Sequence, residues 1–319
     1  MVRPAARGVL SVLGMTKKRT FLDRTAALPS TLGGWLAQAE KLYARRRLAL
    51  GQVATTARDE ALYLLLRTLG LPLESDPAAL ARPLAAHECA KLARVLRRRA
   101  IDRVPAAYLL GEAWLGKHRF YVDERAIIPR SYFLEVIPHL DRLGLAPRRV
   151  ARAADVGTGS GCLAILLAHH FPRARVDAID VSADALAVAR INVSQHGVAG
   201  RVTLHQSDVF ASVPAARYEL IVCNPPYEPS RLMKTLPPEF KKEPRLALDG
   251  GPDGLAVIRR VIAQAGGRLA PDGFLLLEVG GLRAAMEKNF GRLHLRWLPT
   301  HDGSNCVCLV EARRLHSSL

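Results

Sequence analysis

Residues Ala153–Ala164 read Ala-Ala-Asp-Val-Gly-Thr-Gly-Ser-Gly-Cys-Leu-Ala. A short apolar strand ends at Asp155, and glycines follow at the alternate positions Gly157, Gly159 and Gly161. Cys162–Ala168 then opens an apolar helix. Glycine takes left-handed conformations without strain, and it lets backbone N–H groups approach a ligand where a Cβ would block them. The spacing is G-x-G-x-G, which differs from the G-x-G-x-x-G of dinucleotide-binding turns. Such a turn alone is common in surface loops. Here a second loop, Asn224-Pro225-Pro226-Tyr227, follows another apolar strand about sixty residues further on.

Around these two loops, strand patterns at Ala151–Val156, Arg175–Asp180, Arg201–His205, Glu219–Cys223 and Phe274–Val279 alternate with helical stretches such as Ala183–His196 and Leu255–Leu269. The alternation predicts an α/β fold, a mainly parallel, doubly wound sheet with right-handed crossovers. Leu293–Leu298 and Asn305–Ala312 have no helical pattern between them and predict a hairpin that closes a sheet of seven strands. Ligands of such sheets sit beyond the carboxyl ends of the strands, where both loops fall.

The residues at those ends carry the chemistry. Asp180 ends the second strand, and a carboxylate there accepts two hydrogen bonds from ribose hydroxyls. Asp208, after the third strand, can accept from an adenine amino group while Val209 and Phe210 pack near the ring. Asp155 either holds a cofactor's amino group or braces the glycine loop. In Asn224-Pro-Pro-Tyr the prolines offer carbonyls and no N–H groups, with φ held near ~−65°. The Asn224 side-chain oxygen and the Pro225 carbonyl then form a rigid pair of acceptors for a planar –NH2 group, with Tyr227 against its face. Two acceptors return electron density to a delocalised nitrogen, and positioning and electrostatics carry the rate without a metal or a strong base. Together the loops imply a transferase that uses S-adenosylmethionine on a planar nitrogen. Arg130 follows a proline just before a helix. It either turns into the crevice or bonds the carbonyls of the linker.

The remainder of the chain frames this centre. Residues 1–29 are basic and lack an apolar period, and they read as a disordered tail. From Ser30 the pattern is helical, with Leu32, Leu36, Ala39 and Tyr43 on one face and Ala61, Leu62, Leu65, Leu66 and Leu69 on another. Asp76-Pro77 reads as an N-cap, and a helix over Leu84–Arg99 turns its arginines outward. This small all-helical domain, 30–110, carries no chemistry of its own and is expected to hold a partner. Residues 111–129, with Trp114, Gly116 and Phe120, predict a hairpin linker before a catalytic domain at 130–319. The five cysteines lack metal-ligand spacing and read as reduced thiols in a cytoplasmic protein. No apolar run approaches the roughly 20 residues that cross a bilayer. The net charge of +17 clusters at Lys17–Arg19, Arg45–Arg47, Arg97–Arg99 and Arg148–Arg149. It fits work beside a polyanion such as rRNA, and equally a set of solvated helix faces.

Asp155-x-Gly-x-Gly-x-Gly161 with Asn224-Pro-Pro-Tyr227 resembles the class I methyltransferases, a group that includes adenine-N6 enzymes. Ile128-Pro-Arg130 with Glu243-Pro-Arg-Leu-Ala-Leu-Asp-Gly-Gly-Pro-Asp-Gly-Leu255 narrows the resemblance to the protein glutamine N5-methyltransferases, from about residue 30 to the end. Ala113-Trp114, Phe120–Arg125, Pro129-Arg-Ser131 and Leu236–Pro244 look like the type that modifies the third large-subunit ribosomal protein. The release-factor type usually shows Pro-Arg-Pro at the third of these sites, where this chain has Pro129-Arg-Ser131. Departures occur at Lys242, where the family commonly has His, and at Glu228-Pro-Ser-Arg231.

The resemblance implies that Asn224 and Pro225 hold a glutamine amide with Tyr227 packed on it. The candidate cofactor set is Asp155, Gly157, Thr158, Gly159, Gly161, Asp180, Val181, Asp208, Val209 and Asn224, around S-adenosylmethionine. The candidate substrate set is Asn224, Pro225, Pro226, Tyr227, Arg130 and Glu243, and no metal ligands are expected. The expected partner is a large-subunit ribosomal protein, free or in an assembling particle. Release factor and nucleic-acid adenine are the alternative substrates.

Overall fold

A computed structural model describes residues 28–74 and 76–316; nearly all of the expected basic tail lies outside them. The first part is helical: α1 (Leu32–Arg46), α2 (Ala57–Thr68), α3 (Ala86–Ala100) and α4 (Ala106–Leu110). Thr31 and Thr56 cap the first two helices, accepting from the N–H groups of Gly34 and Asp59, so that orphan amides at each start are satisfied. The apolar stripes meet in one core, where Trp35, Leu36 and Tyr43 of α1 pack on Leu64 and Leu65 of α2 and on Leu92 and Leu96 of α3. Leu62 and Leu69 only flank it.

A two-stranded hairpin follows, β1 (Ala113–Leu115) and β2 (His118–Phe120), turning at Gly116-Lys117. Then come α5 (Phe133–Val136), β3 (Arg152–Val156), α6 (Cys162–His170), β4 (Arg175–Asp180), α7 (Ala183–Gln195), β5 (Val202–Gln206) and β6 (Tyr218–Cys223). The chain ends with α8 (Ala256–Ala265), β7 (Leu269–Glu278), α9 (Arg283–Phe290), β8 (Arg296–Leu298), β9 (Val307–Glu311) and α10 (Ala312–His316).

Strands β3–β9 form one seven-stranded sheet in the order β5-β4-β3-β6-β7-β9-β8. The first five in that order are parallel, and β9 pairs antiparallel with both β7 and β8. This is the doubly wound sheet with a terminal hairpin that the alternation predicts. Residues from α6 share one core face with Ala153, Val176 and Leu220. Ile258 of α8, Met286 of α9 and Leu315 of α10 cover the other, with Ala154, Ile221 and Leu275. Both faces are buried, so the parallel strands read as apolar runs rather than as alternations. β7 starts at Leu269, earlier than the pattern shows. The Pro271-Asp-Gly273 stretch interrupts its apolar run, and the register slips there between Tyr218 and Leu220.

The strand order reverses between β3 and β6, whose carboxyl ends carry the Gly157–Gly161 turn and the Asn224 loop. The topology thus opens a crevice between those two loops.

Candidate active site

A cavity of about 890 Å³ fills that crevice. Gly157, Thr158, Gly159, Asp180, Val181, Asp208 and Val209 line one part of it, and Asn224, Pro225, Pro226, Tyr227 and Arg130 another. Residues from loops after four parallel strands therefore face one space.

The glycine turn departs from the sequence reading in one respect. Its N–H groups are already engaged within the protein. Gly157 and Thr158 both donate to the Ile179 carbonyl, at 2.8 and 2.9 Å, and Gly159 donates to Asp180 Oδ2 at 2.8 Å. What the glycines supply is shape, since all three have φ between +55° and +82°. A Cβ on Gly157 would meet only the Asn224 carbonyl, at 3.9 Å, so a side chain there would fill the space between the loops. Gly161 does a different job from the one expected. It does not line the cavity, and a Cβ on it would press on Ala189 Cβ at 3.1 Å, so it lets α6 approach α7.

Asp155 is fully buried behind the turn and does not line the cavity. Its Oδ2 accepts from Thr158 Oγ1 at 2.6 Å and from the Ala164 N–H at 2.9 Å, the bracing role of the two left open. Its Oδ1 has no protein partner. Burial pushes its carboxyl up to about 7. Asp180 is also raised by burial, opposed by N–H donors from Ser182 and Gly159. Each of its oxygens accepts one backbone bond, from Ser182 to Oδ1 and from Gly159 to Oδ2, which leaves a lone pair on each for a vicinal diol. Val181, exposed at 48%, offers an apolar face beside it. Asp208 reaches the Arg260 guanidinium at 3.1 Å. Val209 adopts φ +52°, a strained setting for a β-branched residue and of a kind that clusters at ligand sites.

On the other wall, Asn224 Nδ2 donates to the Arg130 carbonyl at 3.4 Å, leaving Oδ1 as an acceptor. The Tyr227 ring is held from behind by Gly280, where a Cβ would come within 2.6 Å of Cε2. The strap 243–255 runs alongside the Asn224 loop: Glu228 donates its N–H to Leu248 and accepts from Gly250, while Ser230 donates to Gly251. The sequence alone does not single out Gly280 or the strap glycines, because the distance between their segments hides the contact.

Arg130 satisfies both alternatives at once, lining the cavity and donating to the Ile128 carbonyl at 3.2 Å. Glu243 requires a correction as a substrate contact. Its carboxylate is fully buried behind Arg130, paired on both arms at 2.9 Å, and it does not line the cavity. Gln52 of the helical part bonds Glu243, and Arg103 bonds Glu239 at 2.7 Å. Arg99, wholly buried, pairs with Glu60 at 2.6 Å and reaches Glu239 at 3.6 Å. The helical part thus braces the 239–243 segment from behind the cavity wall; nothing local in its sequence signals this.

The methyltransferase small domain model matches residues 137–240, which include both loops. A Burkholderia pseudomallei protein named ribosomal protein uL3 glutamine methyltransferase is 45% identical over 285 residues, covering 86% of this chain and 92% of its own. Proteins of the same name from Bordetella pertussis and Bradyrhizobium diazoefficiens are 47% and 44% identical over 277 residues each, covering 85% and 84% of this chain and 91% and 86% of their own. The chain belongs to the ribosomal protein uL3 glutamine methyltransferase family. The cofactor of these methyltransferases, S-adenosylmethionine, fits the residues present. The paired acceptor oxygens of Asp180, the open wall at Gly157 and the apolar Val181 are the hydrogen-bonding groups and shape that a ribose, a chain of methylenes and an aromatic base require.

Proposed function

We infer that this uL3 glutamine methyltransferase family member methylates the side-chain amide nitrogen of a glutamine in ribosomal protein uL3, using S-adenosylmethionine. The observation that carries this reading is the shared cavity: the Asp180 side and the Asn224-Pro-Pro-Tyr side face each other across it. The family relationship supplies uL3.

In the proposed mechanism, Asp180 holds the cofactor's ribose and Asp208 and Val209 its base. When bound, S-adenosylmethionine supplies a methyl group made electrophilic by its sulfonium. Asn224 Oδ1 and the Pro225 carbonyl accept the two hydrogens of the glutamine –NH2, which orients the nitrogen and raises its electron density. Tyr227, seated by Gly280, supports the amide plane. The apolar walls limit water. Methylation makes the amide nitrogen acidic, and of its two hydrogens the one held at Asn224 Oδ1 passes to water while the other stays on nitrogen, so no strong base is needed. Placement and fixed dipoles supply the acceleration.

Arg130, locked by Glu243, positions the Asn224 loop through its own carbonyl. The basic surface is proposed to bring the enzyme to rRNA or to an assembling particle, and a cytoplasmic site of action follows from such a substrate. Among the described residues, no helix is long and apolar enough to cross a membrane.

The test is transfer of labelled methyl to unmethylated uL3, release factor and DNA, with Asn224→Ala as control. Label on a uL3 glutamine, lost in the control, is expected. Label on release factor would keep the chemistry and move the substrate, and label in DNA would overturn the nitrogen assignment. Capture of particles should fall steeply with salt, and a flat response would sink the rRNA contact.

A further inference from the structure

Three histidines far apart in the chain converge beside the hairpin. His118 lies on β2, His169 in the last turn of α6, and His196 caps α7. One ring nitrogen of each lies within 4.8 Å of the other two. The His118 and His169 rings stack with centroids 5.2 Å apart, and His196 stands 5.9 and 5.7 Å from them. We propose that His118, His169 and His196 form a zinc site that clips the β1–β2 hairpin to α6 and α7.

The ring of His196 is held by a backbone carbonyl. Its Nε2 sits 2.9 Å from the Arg119 carbonyl. A carbonyl only accepts, so Nε2 carries the proton and Nδ1 is the free lone pair. A backbone carbonyl fixing the far nitrogen of a histidine is the usual support of a metal ligand. Phe120 stacks on the same ring at 4.8 Å and limits its rotation. Asn192, one turn earlier on α7, accepts from the Tyr121 N–H at 2.7 Å and donates to the Tyr121 carbonyl at 2.9 Å. The hairpin therefore reaches α7 without the metal, and the ligands come from a preformed frame.

The other two rings suit the role chemically. Burial and the neighbouring imidazoles hold His118 and His169 below the ordinary imidazole range, so both are neutral ligands at neutral pH. Lys117 and Arg201 act in the same direction. Their charge also opposes a dication, which places the affinity below that of buried structural zinc sites. Around a tetrahedral zinc, two nitrogens at ~2.0–2.1 Å lie ~3.3 Å apart. Rotation about χ2, a soft torsion in histidine, supplies the remaining approach. His169 is exposed, so ions have access and water can take the fourth position. Imidazole sets of this kind select zinc, copper or nickel over magnesium and calcium.

The experiment uses untagged full-length protein stripped with a chelator. Calorimetric titration with zinc is expected to show one strong equivalent, weakened ~100-fold in His169→Ala and in His118→Ala. Cobalt(II) should give the intense visible bands of a tetrahedral site in the wild type and not in either variant. Zinc should raise the unfolding temperature of the wild type and leave that of His169→Ala unchanged, with methyl transfer retained by that variant. Failure of the wild type to bind zinc would overturn the proposal. So would equal binding by the variants, or an octahedral cobalt spectrum in the wild type, a readout that stands even if a variant does not fold.

Discussion

The Arg130 guanidinium grips the Glu243 carboxylate with two parallel hydrogen bonds of 2.9 Å, across 113 residues of chain. Glu243 is fully buried and Arg130 is 31% exposed at its side chain. The Arg130 carbonyl meanwhile takes the Asn224 amide. The pair thus links the 243–255 strap to the catalytic loop. Removing one partner leaves the other uncompensated, a cost of about 3–5 kcal/mol for a buried charge. Arg130→Met is expected to lower the unfolding free energy by that order. The double variant Arg130→Met, Glu243→Met should recover most of the stability but not the activity. A double-mutant cycle in denaturant checks this, and simple additivity would refute the coupling.

Gly280 touches the Tyr227 ring, and its φ is +50°. Gly280→Ala must therefore displace the ring or strain the backbone. Methyl transfer should fall at least ~10-fold. Binding of S-adenosylhomocysteine, held on the opposite wall, should change little. Equal losses in both would show that the substitution damages the fold rather than the amide pocket.

Asp180→Ala removes the acceptor of Gly159 and the proposed ribose contact together. Isothermal titration should show S-adenosylhomocysteine binding weakened ~100-fold, with loss of about 1.5–3 kcal/mol for hydrogen bonds to a charged group. Unchanged affinity would remove Asp180 from the cofactor set.

Glu278, at the end of β7, accepts from Ser131 Oγ at 2.5 Å and from the Tyr132 N–H at 3.0 Å. Burial pushes its carboxyl from 4.5 up to about 7. The folded state therefore holds a proton that the unfolded chain releases between pH 4.5 and about 7. Its contribution is full below that window and is lost as pH rises through it. The whole step is on the order of 3 kcal/mol. Asp155 acts in the same direction, with a window from 3.8 to about 7. His118 and His169, held low, act oppositely, gaining stability as pH rises. Glu278→Gln isolates one term of this balance. Relative to the variant, the wild type should lose stability between pH 5 and 7, as denaturant melts at each pH would reveal. Parallel curves would mean that the Glu278 carboxyl titrates normally.

The sequence alone determined the sheet and its two ligand loops, because both are local. Apolar runs of strand length, glycines at alternate positions and two successive prolines constrain nearby backbone whatever packs around them. It also marked the part of the cavity wall that lies at the strand ends, Gly157–Gly159, Asp180, Asp208 and Asn224–Tyr227, since residues at the carboxyl ends of parallel strands share one edge by topology; the wall contributed by 125–129 and 236–257 was not marked as site. Tertiary structure decided how those residues are used. Gly161 reads as part of the ligand turn but faces Ala189 on another helix. Glu243 reads as a substrate contact but is the buried counter-ion of Arg130. Arg99 reads as an outward arginine but sits fully buried between Glu60 and Glu239. Each partner lies dozens of residues away or more, and a charge or a missing Cβ does not record which distant surface it will meet. The three histidines were invisible for the same reason: only the packing of β2 against α6 and α7 brings them together.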